Sequence, residues 1–236
     1  MISAVPSTQR VYLQDSSLSQ LSAKVVDLGK DEEGQFVVFD KTLFHPQGGG
    51  QPDDQGYFEV EGTRFVVKKL SAPSNPQAIP FIIRHYYDIS EAEKTKLKVD
   101  QVVLQKIDLE IRRLHARYHS AGHLLSNAVN RLCPSLDGCG GHHFPKQASV
   151  SFEGIPTPEI LQELKQKVPE LVNKFVQDKL PCKNMHQNTP RLIQFGELPP
   201  YQCGGTHVLN SEEIGRITIR NFKKDKTRLK IGYDIE

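Results

Sequence analysis

The chain has 236 residues, 37% hydrophobic and 25% charged, an ordinary composition for a globular protein that buries a core without disulfide staples. Thirty basic against 28 acidic residues leave a formal net charge of +2, which excludes an indiscriminate coat for nucleic acid but leaves room for a local basic patch. No apolar run approaches the ~20 residues of a membrane span, and residues 1–15 lack a positive-then-apolar leader pattern, so a cytoplasmic protein with no membrane partner is expected.

In chain order, the first part reads as β. Short strand-like runs fall at 10–13, 23–28 and 35–40, punctuated by Gly29 and Gly34, and again at 57–60, 63–69 and 79–87. Glu61-Gly62 between two of them predicts a tight hairpin. Many short strands with turn signals point to a small barrel or sandwich. The polar, lysine-rich stretch 88–100 is the candidate linker, and a boundary between residues 95 and 96 divides the chain into domains 1–95 and 96–236. Beyond it, apolar residues recur at helical spacing over 109–133 until Pro134. A second helix is predicted from Thr157 as N-cap and Pro158 at the first helical position to about residue 179, kinked or split at Pro169. Residues 148–152 read as a strand, and 216–220 with 228–233 as a strand pair around a 223–226 turn. The fold class is therefore α+β.

Two pairs of residues carry chemistry. His119 and His123 are four apart on the first helix, so both imidazoles share one face. Cys203 and His207 are also four apart, around Gly204-Gly205. One thiolate and three imidazoles suit a single tetrahedral Zn2+ ion. Either pair alone is equally the pattern of ordinary packing. Ser120 stands where the helical zinc peptidases carry a glutamate base, so peptide cleavage of that type is not supported. Four protein ligands are otherwise the mark of a closed, structural site. The catalytic base is not identified by the sequence.

A glycine-rich loop, residues 44–56, lies between two predicted strands. Gly48, Gly49 and Gly50 permit close backbone approach, and Gln51 and Asp54 offer polar groups to a substrate or to the loop itself. No glycine-lysine-serine or glycine-lysine-threonine triplet follows, so it is not a nucleoside-triphosphate loop. His115 is a candidate partner for the zinc ligands or a packing or solvent-facing residue. Cys133, Cys139, His142 and His143 form a weaker second cluster, read either as a metal site or as a loop that contacts a substrate. Arg112, Arg113 and Arg117 on the helix, and Lys223 and Lys224 in the tail, are candidates for phosphate contact or for plain solvation.

Together these features resemble the AlaX family, the free-standing relatives of the alanyl-tRNA synthetase editing domain. The resemblance rests on His119/His123, on Cys203-Gly204-Gly205-Thr206-His207, on Phe44, Pro46, Gly49, Gly50, Gln51, Pro52, Asp54 and Gly56, and on Ile214-Gly215, and spans about residues 40–233. His45 departs from it, since the family usually has tyrosine there. The resemblance implies a small β-barrel-like N-terminal domain and a C-terminal α+β zinc-binding editing domain, of the second additional domain type shared by threonyl- and alanyl-tRNA synthetases, in the medium form. It implies one zinc per chain and a trans-editing hydrolase that deacylates mischarged Ser-tRNA(Ala) or Gly-tRNA(Ala), with a monomer expected. An alanine pocket cannot strongly reject a residue smaller by one methyl or larger by one hydroxyl, so a second hydrolytic sieve is needed. The resemblance also places Thr42 near the amino-acid side chain, where its hydroxyl would pair with that of serine. The competing expectations are a non-catalytic aminoacyl-tRNA-binding module with structural zinc, and a zinc hydrolase of small esters or amides without RNA.

Overall fold

The computed structural model describes residues 5–75, 78–88, 97–188 and 190–236. The chain divides into two compact units, residues 1–48 with 52–112, and residues 49–51 with 113–236. The boundary expected at 95/96 lies outside the described residues, as does most of the expected linker.

The first unit contains β1 (Gln9–Arg10), β2 (Gln20–Asp31), β3 (Gly34–Phe39), β4 (Lys41–Thr42), β5 (Gly56–Val60), β6 (Thr63–Ser71), β7 (Arg84–Tyr87) and β8 (Val102–Ile107). Six of these close into a barrel in the order β2-β3-β7-β6-β5-β8, which leaves no open sheet edge among them. The predicted hairpin is present: Val60 pairs with Thr63, and Glu61 and Gly62 both have positive φ, as a two-residue primed turn requires. Phe58 and Phe65, register partners across that hairpin, stack at 5.0 Å inside the barrel, and Tyr87 meets both edge-on. Burying each ring stabilises the fold by roughly 1.5–3 kcal/mol.

Three expectations in this unit are corrected. Of the strand expected over 79–87 only Arg84–Tyr87 forms. Residues 11–13 form a 3-10 turn after a two-residue strand. Gly29 does not interrupt a strand; it lies within β2 opposite Phe36, where a Cβ would stand 2.4 Å from the Phe36 ring. The glycine makes room for an aromatic cross-strand neighbour.

The second unit carries most of α1 (Leu109–Leu132), then β9 (Asp137–His142), β10 (Ser149–Glu153), α2 (Pro158–Gln177), β11 (Cys182–Met185), β12 (Leu192–Phe195), β13 (Tyr201–Gln202), β14 (Ile217–Asp225) and β15 (Arg228–Ile235). An antiparallel sheet runs β14-β15-β10-β9, and β11-β12-β13 form a smaller one. Leu124, Leu125, Ala128 and Val129 of α1 and Leu164, Val168 and Val172 of α2 share one core with Val150, Phe152, Leu229 and Ile231 of the sheet. The Thr157 hydroxyl accepts from Ile160 N, as an N-cap should. Pro169 does not split α2, which continues to Gln177. Asn173, one turn on, donates to the Pro169 carbonyl and to Ile217 O, each at 2.8 Å, so the side chain ties the helix to β14. No helix among the described residues is long and apolar enough to cross a membrane.

Candidate metal centre

α1 presents His119 and His123 one turn apart, and the segment after β13 brings Cys203 and His207 to the same place. Their four ligand atoms lie within 4.8 Å of one another, and among the described residues no other His, Cys, Asp or Glu group is so arranged. The Cys203 Sγ lies 3.4 Å from His119 Nε2 and 3.1 Å from His207 Nε2. His119, Cys203 and His207 are buried, while His123 is half-buried on the wall of a cavity of about 220 Å3. Such a group can hold a metal ion.

The surrounding hydrogen bonds fix the rings. Gln51 Oε1 accepts from Thr206 N at 2.9 Å, and Gln51 Nε2 donates to Thr206 Oγ1 at 2.9 Å, so the amide orientation is set. His119 Nδ1, 2.8 Å from the same oxygen, must then be the protonated nitrogen, which leaves the Nε2 lone pair facing Cys203. His207 Nδ1 lies 3.0 Å from Ser120 Oγ, which also accepts from Val208 N. These are the outer contacts that orient metal-binding imidazoles. Nδ1 of His123 is out of solvent and without a hydrogen-bond partner among the described residues. Burial, with His143 and Arg191 alongside, pulls the His123 pKa down to about 3, so the ring stays neutral as a ligand must. Burial pushes the Cys203 thiol up, against a Gly205 N–H contact and Arg191, so the thiol needs a cation to ionise.

The turn holding the cysteine is constrained by its glycines. A Cβ on Gly205 would stand 2.2 Å from His119 Nδ1 and 2.8 Å from Gln51 Oε1, whereas Gly204 faces open space. Arg191 clamps the turn by donating to Cys203 O at 2.8 Å and Gly205 O at 2.9 Å. Gly50 adopts φ 76°, and a Cβ there would lie 2.2 Å from Gly141 O. Gly49 has φ 58° and passes near the His119 ring, while Gly48 is exposed.

Other expected site residues are placed differently. Gln51 is wholly buried, and its amide is engaged by His119 and Thr206. Asp54 accepts from Arg112 Nε at 2.8 Å, from Arg112 Nη2 and from His45 N at 2.6 Å, all within the barrel unit. Arg112 is 1% exposed and also donates to Leu43 O and Ser16 O, so it is withdrawn from any phosphate. Thr42 is wholly buried, with its hydroxyl 2.8 Å from His85 Nε2 and accepting from Phe44 N at 3.0 Å. Arg117 is half-buried and donates to Ile214 O and Glu236 O. Arg113, Lys223 and Lys224 are exposed. His115 is buried, not solvent-facing.

The second cluster does not assemble. Cys139 is exposed, Cys133 is buried beside Ser135, and His142 stacks on Phe144. His143 turns the other way, into the cavity, stacked on His119 at 4.5 Å. No signal in the sequence separates His143 from His142, because β9, whose end turns the two rings apart, was not expected there.

No protein-family model matches the chain. The alanyl-tRNA editing protein AlaX-M of Saccharolobus solfataricus is 29% identical over 249 residues, covering 97% of this chain and 99% of that protein. AlaX-L of Pyrococcus horikoshii is 29% identical over 244 residues, 95% of this chain, which spans 57% of that protein's length. The alanine–tRNA ligase of Metallosphaera sedula is 24% identical over 243 residues, and the chain spans 25% of it. With its buried histidine–cysteine group and this likeness along nearly its whole length, the chain is a homologue of the AlaX alanyl-tRNA editing proteins.

Proposed function

We propose that the chain is a zinc-dependent deacylase acting in trans on alanine tRNA charged with serine or glycine. The observation that carries the proposal is the buried group His119, His123, Cys203 and His207, set in a chain that aligns nearly end to end with a protein named for alanyl-tRNA editing. The group fits zinc by its chemistry: one soft thiolate and three neutral imidazoles, two of them with their Nδ1 atoms already partnered. Bound there, zinc supplies a Lewis acid for an acyl carbonyl, or a water of lowered pKa.

The protein's own residues do the rest. Gln51 and Ser120 hold two of the rings, Arg191 holds the cysteine turn, and glycines keep the cavity walls close to the backbone. Thr42, whose hydroxyl is engaged by His85, Gln105 and Phe44 N, is the residue that the resemblance sets beside the serine hydroxyl. Arg113, Lys223 and Lys224, being exposed, are the basic residues that would meet phosphates.

One observation favours a second reading. Four protein donors are a complete tetrahedral shell, the usual form of a structural zinc, which makes the chain an aminoacyl-tRNA-binding module. Deacylation by the wild type, measured beside a Cys203→Ala protein, separates the two. On the enzyme reading the variant folds, loses zinc and loses deacylation together. On the binding-module reading the wild type binds charged tRNA and leaves the ester intact.

A further inference from the structure

His143 is the histidine of the cavity that the metal group does not use. Its Nδ1 lies 2.7 Å from the Tyr233 hydroxyl, and that hydroxyl donates to the Tyr118 carbonyl at 2.8 Å. A hydroxyl has one proton and a carbonyl accepts only, so Tyr233 must accept from His143 Nδ1–H. The tautomer is thereby fixed, and Nε2 carries the lone pair.

The fold makes room for this ring. A Cβ on Gly122 would lie 2.4 Å from its Cε1, and one on Gly141 would lie 2.2 Å from its Nε2. The backbone is pinned by His143 N donating to Gly50 O at 2.7 Å, and Tyr233 is wholly buried. The ring faces the same cavity as His119, His123 and Cys203. Among the described residues none that lines that cavity is acidic, so these supply no carboxylate for a substrate ammonium. A neutral acceptor suits a neutral donor.

Resting on the reading of the chain as an aminoacyl-ester hydrolase, we propose that His143 is a further catalytic residue: its Nε2 accepts a hydrogen bond from the attacking water and aims that water's oxygen at the acyl carbon. In the step, the water oxygen bonds to the acyl carbon and the bond from that carbon to the ribose oxygen breaks. The ribose oxygen leaves as a hydroxyl, taking up the proton that the water gives up. Ester and water become free amino acid and uncharged tRNA, and His143 ends the cycle in the tautomer in which it began.

The test compares His143→Leu, which removes the acceptor, with His143→Gln, which restores one. Steady-state deacylation of Ser-tRNA(Ala), zinc stoichiometry and thermal midpoint are measured on each. The expected result is a kcat about 100-fold down in the leucine variant, in the range of a lost acid–base or water-holding group, with KM and zinc content unchanged. The glutamine variant recovers most of the rate. If the leucine protein loses zinc, Tyr233→Phe decides: the ring and its glycine gaps remain, the tautomer lock goes together with the bond to the Tyr118 carbonyl, and kcat must fall without a change in KM. A full kcat in the leucine variant, a loss confined to KM (an ammonium seat), a glutamine variant no better than leucine, or an unaffected Tyr233→Phe overturns the inference while an active wild type keeps the hydrolase reading. A wild type that releases no amino acid overturns both.

Discussion

Replacing Gln51 by leucine removes an oxygen that two buried donors share, the His119 Nδ1–H at 2.8 Å and the Thr206 N–H at 2.9 Å. Nothing replaces it, because Gln51 is wholly buried and a leucine fills the space without an acceptor. Losing the outer hydrogen bond of a metal-binding histidine weakens metal affinity about 10–100-fold, or about 1.4–2.7 kcal/mol. The stranded Thr206 N–H adds about 1–3 kcal/mol of destabilisation even without metal. Zinc affinity is read by competition against a chromogenic chelator at fixed pH, and metal-free stability by urea unfolding. Gln51→Glu is the control: it keeps the acceptor for both donors and gives up only the Nε2 donation to Thr206 Oγ1. The leucine variant should lose affinity and the glutamate variant should recover most of it. A leucine variant with wild-type zinc affinity would refute the argument that Gln51 holds His119 for a metal.

Arg112→Ala leaves Asp54 as an unpaired buried carboxylate and should destabilise the barrel unit by about 3–5 kcal/mol; a thermal midpoint like the wild type's would contradict that placement. Acid should also weaken the barrel through His85. Burial pulls its pKa from 6.5 to about 3, against the raising effect of backbone contacts at Val37 and Ile83. Between those values the unfolded chain binds the proton and the folded chain does not, so the stabilisation is complete above pH 6.5 and is lost as pH falls. The slope from this one group approaches ~1.4 kcal/mol per pH unit. Urea titrations at several pH values should show His85→Gln and wild type converging in stability as pH falls; a gap that stays constant with pH would show that His85 is not held neutral.

The parts of this site that could be read from the sequence were those set by local geometry. His119 and His123 share a helix face because four residues make nearly one turn, and Cys203 and His207 stand out because two glycines separate them. The Glu61-Gly62 hairpin was legible for the same reason. What escaped depended on partners distant along the chain. Gln51 and Asp54 looked alike in one polar loop, yet Gln51 serves His119 and Asp54 serves Arg112. Arg112 looked like its exposed neighbour Arg113, because a helix pattern does not reveal which charge meets a buried carboxylate. Gly29 read as a break because its reason, the ring of Phe36, lies on the neighbouring strand. His142 and His143 are adjacent, and only the end of β9 decides that one faces Phe144 and the other the cavity.

The most direct measurement is the release of amino acid from alanine tRNA charged separately with serine, glycine and alanine, with the zinc content of the same preparation determined. The account predicts release of serine or glycine with alanine spared, and loss of that release together with zinc in the Cys203→Ala protein. A folded, zinc-loaded wild type that leaves all three esters intact would contradict it.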